Sequence, residues 1–172
     1  MNLFKTHYKS IVLEDNLLLK PESQIKNLPR ISHVVLSAKF TDDFGSAISV
    51  LELLGLHKPK LTKSKKNNLN LSLKKGEVVG CKLYLRKNSI YTFLERFVFE
   101  IMPSIKNLSN LSVNKDSLHW HFSDVFVLDD ISNHYIYLQG LRSLDVVIQT
   151  KNANTKFYQA LRFPLKTKKN KF

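Results

Sequence analysis

The 172-residue chain carries 27 Lys and Arg against 14 Asp and Glu, a formal charge of +13, and is 43% hydrophobic. That length suits one domain with its own core, and the composition excludes a chain disordered throughout. No stretch approaches the ~18 apolar residues of a membrane span. The single Cys81 excludes an internal disulfide, and there is no Cys cluster for zinc. The first residues lack an apolar h-region, so no cleaved address is expected.

Residues 4–19 set Phe4, Tyr8, Ile11, Val12 and Leu19 at roughly helical spacing, and Pro21 follows as a stop. After Pro29, the β-branched run over residues 31–40 predicts a strand. Residues 42–54 begin on Asp42 and Asp43, which suit the positive end of a helix dipole, and meet Gly55 where a C-terminal cap is expected. Residues 69–73 and 79–86 alternate with period two around a Gly-containing turn, which predicts two antiparallel strands. Ser89 is placed to cap a helix over residues 90–102, striped by Phe93, Leu94, Phe97 and Ile101, which Pro103 ends or kinks. Residues 118–122, 125–128, 135–138 and 144–150 predict further strands, and Asn154 caps a last helix over residues 155–161, stopped by Pro164. Helices interspersed with mostly antiparallel strands predict an α+β fold. The expected organisation is one domain over residues 1–165 and a basic tail over residues 166–172, with no repeat and no linker.

The positive charge has an address. Between Lys58 and Lys87 stand ten basic residues and one acid, Glu77, for +9; the tail adds Lys166, Lys168, Lys169 and Lys171 for +4, and the rest is neutral. Two basic zones on a neutral body read as footprints for a phosphate backbone. Lys82, Tyr84 and Arg86 recur at period two, so they project from one sheet face, where cations can meet phosphates and a ring can stack on a base or sugar. Lys outnumbers Arg 22 to 5, with 14 Asn but only 4 Ala, a bias towards AT-rich codons that suits an organellar or AT-rich genome.

Enzyme signatures are absent. The run from Gly76 to Lys82 is one residue short of a phosphate loop and opens no helix. His119 and His121 share a strand face without a third metal ligand in sequence reach, and Asp129 and Asp130 read as a turn. Asp42 and Asp43 could instead hold the metal of a nuclease. The charge alone would also suit a generic basic RNA-binding protein or a polycation on an anionic membrane. The membrane reading needs a basic amphipathic helix, whereas the basic zone here is mostly strand and loop.

The run from Lys58 to Lys66, then Gly80-Cys-Lys-Leu-Tyr-Leu-Arg86, Phe93-Leu-Glu-Arg-Phe97 and Pro103-Ser-Ile, resembles the large-subunit ribosomal protein five family, the bacterial type that binds 5S rRNA. His7-Tyr-Lys9, Leu28-Pro-Arg-Ile31 and Gly140-Leu-Arg-Ser-Leu-Asp145 fit the same pattern in order, so the resemblance spans essentially the whole chain. It implies an antiparallel sheet with helices on one face and a concave RNA-binding face on the other. It further implies a structural, non-catalytic protein without cofactor or metal. The implied partners are 5S rRNA, large-subunit rRNA, neighbouring large-subunit proteins, peptidyl-site tRNA and a small-subunit head protein across the subunit bridge. No membrane partner is implied.

The rRNA-facing positions fall on Ser37, His57, Lys58, Thr62, Lys63, Lys82, Tyr84 and Arg86. The tRNA-contacting loop falls on residues 64–75, with Lys65, Lys66, Asn67, Asn68, Leu71, Lys74 and Lys75. Thr62 keeps the family's usual residue type; Ser37, His57 and Tyr84 stand where Asn, Gln and Thr are usual, and Leu71 where an aromatic is. The expected location is a mitochondrial large ribosomal subunit, the protein being organelle-encoded, with a plastid or an AT-rich bacterial cytoplasm as the second choice.

Overall fold

The computed structural model describes residues 2–19, 27–40, 44–67, 69, 72–105, 111–114, 116–122, 125–126, 129–138 and 141–165. At its centre, period-two burial makes one two-sided sheet. Six strands, β1 (Arg30–Phe40), β2 (Lys60–Lys63), β3 (Val78–Leu85), β4 (Leu111–Asn114), β5 (Ser117–Phe122) and β6 (Leu141–Lys151), pair antiparallel in the order β2-β3-β1-β6-β5-β4. Val34, Leu36 and Ala38 of β1, Cys81, Leu83 and Leu85 of β3, Leu144, Val146 and Ile148 of β6, and Leu118, Trp120 and Phe122 of β5 are all buried on one side. Their neighbours in sequence point to the other side.

The helices cover the buried side. α1 (Leu3–His7), a π-helical turn (Tyr8–Val12) and α2 (Leu13–Leu19) run on as one helix, which packs against α4 (Asn88–Arg96). α3 (Phe44–Gly55) lays Val50, Leu51 and Leu54 against β1 and β3. α4 continues through a second π-helical turn (Phe97–Ile101) into α5 (Met102–Ser104). Pro103 has no N–H and its ring would press on the carbonyl four residues back; the widened turn ahead of it relieves that, and the helix stops one residue later. Phe97 is the hub, with Trp120 edge-on at 5.2 Å, Phe122 edge-on at 6.2 Å and Phe93 stacked at 5.5 Å. Two short turns, α6 (Asp129–Ser132) and α7 (Tyr135–Leu138), precede β6, and α8 (Thr155–Ala160) closes the layer with Phe157 and Tyr158. The Asn154 side chain caps α8 as expected, accepting from the Phe157 amide at 2.8 Å.

Several local expectations are corrected. The partner of β3 is β2, inside the Lys-rich run, and not residues 69–73, where Leu69 is 93% exposed and Ser72 takes φ 52°. Val125 and Phe126 lie in a turn, and Tyr135–Leu138 is helical, not a strand. Asp129 and Asp130 open a short helix rather than forming a plain turn. β4 carries no recognisable sequence signal. The left-handed residue after α3 is Leu56 (φ 55°), not Gly55, which is buried in the last turn against Leu83. The N-cap of α4 is Lys87, and the Ser89 hydroxyl instead meets His57 Nε2 at 2.7 Å. Asp42, Asp43, Val127, Leu128, Gly140 and the basic tail over residues 166–172 lie outside the described residues.

Candidate nucleic-acid interface

Antiparallel pairing puts directly opposed residues on the same face, so the sheet register assembles the uncovered side row by row. One row runs Lys60–Lys82–Ser37–Asp145–His121, crossing from β2 to β5. The next runs Tyr84–Val35–Val147–His119–Ser112, from β3 to β4. A third crosses Thr62, Gly80, Lys39 and Ser143. Lys60, Lys82 and Tyr84 are exposed, and Tyr84 keeps 46% of its surface open with the His33 ring 6.3 Å away. The β2–β3 end of this face is therefore cationic with an accessible aromatic ring. The β5–β4 end carries His121, His119 and Ser112 and, among its paired residues, no Lys or Arg.

Asp145 stands at the join. Among the described residues paired across the sheet, it is the one carboxylate on this face. His121 Nδ1 lies 2.5 Å from Asp145 Oδ1, with the two side chains 48% and 30% exposed. The other histidine of the strand, His119, meets the Ser117 hydroxyl at 2.8 Å. The two histidines do share a face, but each is engaged by its own partner. No group of three metal-ligating side chains occurs among the described residues.

The basic loop between β2 and β3 is closed at its base. The Gly76 amide donates to the Ser64 carbonyl at 2.9 Å and the Ser64 amide to the Glu77 carbonyl at 2.8 Å, with Gly76 at φ 90°. The Asn67 carboxamide oxygen accepts from the Lys75 amide at 2.7 Å, and the Glu77 carboxylate from the Lys74 amide at 2.8 Å. The zone's one acid is thus spent on shaping the turn, while Lys65, Lys66, Lys74 and Lys75 remain exposed.

Of the sequence-predicted positions, Ser37, Thr62, Lys82 and Tyr84 share the uncovered face. Arg86 follows the last residue of β3 and is exposed; Lys63 is exposed beyond a register shift at the end of β2, and Lys58 is exposed just before that strand. His57 stands apart from the rows, at the start of α4 beside Ser89. Asn68 and Leu71 lie outside the described residues. Sequence reasoning misses Lys39, Lys60, Asp145, His121 and Gln149 as members of this face. Period two within each strand shows which residues share a side, but only the cross-strand register shows which strands meet.

Burial sets the chemistry elsewhere. Desolvation pushes the Cys81 thiol up to about 11 and, with a smaller contribution from Tyr91, the Tyr8 phenol up to about 12. Cys81 is therefore a neutral core side chain and no nucleophile.

No protein-family model matches the chain. Curated relatives do match it, nearly end to end. It is 25% identical to the large ribosomal subunit protein uL5 of Blochmanniella floridana, over 96% of this chain and 94% of that one. It is 27% identical to the uL5 of a Wolbachia pipientis strain, over 94% and 98%. It is 25% identical to the large ribosomal subunit protein uL5m of Reclinomonas americana, over 91% of each.

Proposed function

The chain belongs to the uL5 family of large-ribosomal-subunit proteins, and from that premise we propose that it is a structural constituent of the subunit that grips 5S rRNA with the uncovered face of its sheet. The observation that carries this reading is the opposition of Lys60 and Lys82 beside the exposed ring of Tyr84, on the side of the sheet opposite the described helices. Cations spaced along a strand pair place phosphates without reading sequence, and an open ring stacks on an unpaired base.

The closed loop, with Lys65, Lys66, Lys74 and Lys75 exposed around a fixed base, suits a second polyanion, which we assign as peptidyl-site tRNA. Large-subunit rRNA, neighbouring proteins and a small-subunit head protein complete the surroundings in this reading. The Lys- and Asn-rich composition and the uL5m relative favour a mitochondrial ribosome.

The test is binding of the purified protein to 5S rRNA from its own compartment across a salt series, with an unrelated hairpin as competitor. A preference for 5S rRNA that persists at moderate salt is expected. Equal and steeply salt-sensitive binding to both RNAs would reduce the protein to a generic polycation.

A further inference from the structure

A carboxylate in the middle of a phosphate-binding face is a liability unless it meets something other than phosphate. Asp145 lies two strands from Lys82, with Ser37 between them, and β-strand spacing puts that separation at roughly 10 Å. An RNA backbone seated on Lys60 and Lys82 would be repelled by Asp145 if it ran on along the row. An ionised carboxylate offers only acceptors, so the groups it can hold on RNA are donors: the amino group of a base or a ribose 2′-hydroxyl. Its surroundings fit that role. His121 fixes one carboxylate oxygen, and the side chain is still 30% exposed. Ser37 on one side and Gln149 and His119 towards β5 add hydrogen-bonding groups, and the one lysine near it on this face, Lys39, lies on the diagonal, opposite Ser143.

Building on the proposed 5S rRNA reading, we propose that Asp145, oriented by His121, is a specificity-determining residue that accepts a hydrogen bond from a base amino group or ribose hydroxyl of unpaired RNA. The sheet face then has two parts. The β2–β3 end supplies affinity through phosphates, and the β6–β5 end discriminates one RNA from another. His121 is a positioning residue, acting through the carboxylate it holds.

The experiment measures affinity of the full chain for 5S rRNA and for an unrelated hairpin of equal length, in wild type and in Asp145→Asn, Asp145→Ala, His121→Ala and His121→Gln, each with its Tm. The expected result is a loss of 5S rRNA affinity of about tenfold for Asp145→Asn and more for Asp145→Ala, since a charged acceptor is roughly twice as strong as a neutral one. Hairpin affinity should stay level or rise slightly. His121→Ala should lose part of the preference for 5S rRNA, and His121→Gln, which keeps a donor, should retain most of it. A rise in affinity for both RNAs on removing the charge would overturn the inference, because Asp145 would then only repel phosphate. Unchanged affinity for both would overturn it too, placing the pair outside the contact. A wild-type protein with no preference for 5S rRNA sinks the functional reading itself, whereas an intact preference in Asp145→Ala sinks only the role of Asp145. If the Asp145 variants fail to fold, the His121→Ala and His121→Gln comparison decides: equal preference in the two overturns the proposal.

Discussion

Replacing Lys60 and Lys82 with Gln separates affinity from stability, because the two ammonium groups stand directly opposed on neighbouring strands and both are exposed. If each neutralises one phosphate, the double variant loses two contacts. Its slope of log affinity against log salt becomes shallower by roughly 1.4–1.8, and that change, carried from 1 M to 0.1 M salt, is about a 25–60-fold weaker complex. Stability moves the other way. Like charges in directly opposed positions destabilise a strand pair by about 0.2–1 kcal/mol, so removing them should leave Tm unchanged or raise it by up to ~3 °C. A matched control, Lys9→Gln with Lys156→Gln, removes the same charge from exposed positions in the helix layer. The assay is filter or fluorescence binding to 5S rRNA at four salt concentrations, with thermal melts of each protein. Equal slopes for the sheet pair and the helix pair would refute the assignment of the face, since net charge alone would then explain binding. A clear fall in Tm for the sheet pair would refute the reading of these lysines as free of structural duty.

Alkaline pH should unfold the protein earlier than its carboxylates and lysines would suggest: Cys81 and Tyr8 keep their protons to about 11 and about 12 when folded, against 9.0 and 10.0 as free groups. The unfolded chain gives up those protons first, so the native state binds more, and stability is intact below pH 9 and falls as pH rises towards 12, by at most about 1.4 kcal/mol per pH unit for each group. Tm measured at pH 8, 9.5 and 11 should drop steadily, with Cys81→Ala flattening the lower part of the fall and Tyr8→Phe the upper; a flat wild-type profile would contradict the burial of both groups. Gly55→Ala should destabilise even though alanine is the better helix former by about 1 kcal/mol, because the new methyl enters the space of Leu83, itself only 3% exposed. Overpacking costs roughly 1–3 kcal/mol, so melts should show a net fall of a few degrees, and Gly55→Ala combined with Leu83→Ala should lose less than the sum of the two single losses; a higher Tm for Gly55→Ala alone would show that the contact yields freely.

The sequence displayed β1, β3, β5 and β6 because each alternates against a real core, and hydrophobic burial is strong enough to write its period into the residues. β2 and β4 failed to show for the opposite reason. They are the two edge strands, only four residues each, and both are largely exposed, so lysine, serine and asparagine serve there as well as apolar residues. Residues 69–73 erred the other way: leucines alternate in sequence, but Leu69 is 93% exposed, and Asn67 and Glu77 hold the base of the loop through the Lys75 and Lys74 amides. The candidate site was half legible. Charge counting found the basic zone, and period two put Lys82 and Tyr84 on one face. Lys60 and Asp145 joined them only through register, which is a property of pairs of strands.

That register links the two sides of the sheet. Cys81 and Lys82 are adjacent, yet one is buried under helices and the other faces outward, so a slip of one residue in β3 would exchange core and interface together. Gly80 guards against such a slip at the relevant place. A Cβ there would come to 2.8 Å from the Ala38 carbonyl oxygen, beside the Ser37–Lys82 pair. Any side-chain-bearing residue of β3 brought into that position would have to push β1 away, so the close approach admits one alignment of the strands. The same alignment sets Lys60 opposite Lys82 on one flank and Asp145 opposite Ser37 on the other. The residues of the open face are thus positioned by packing on the closed one.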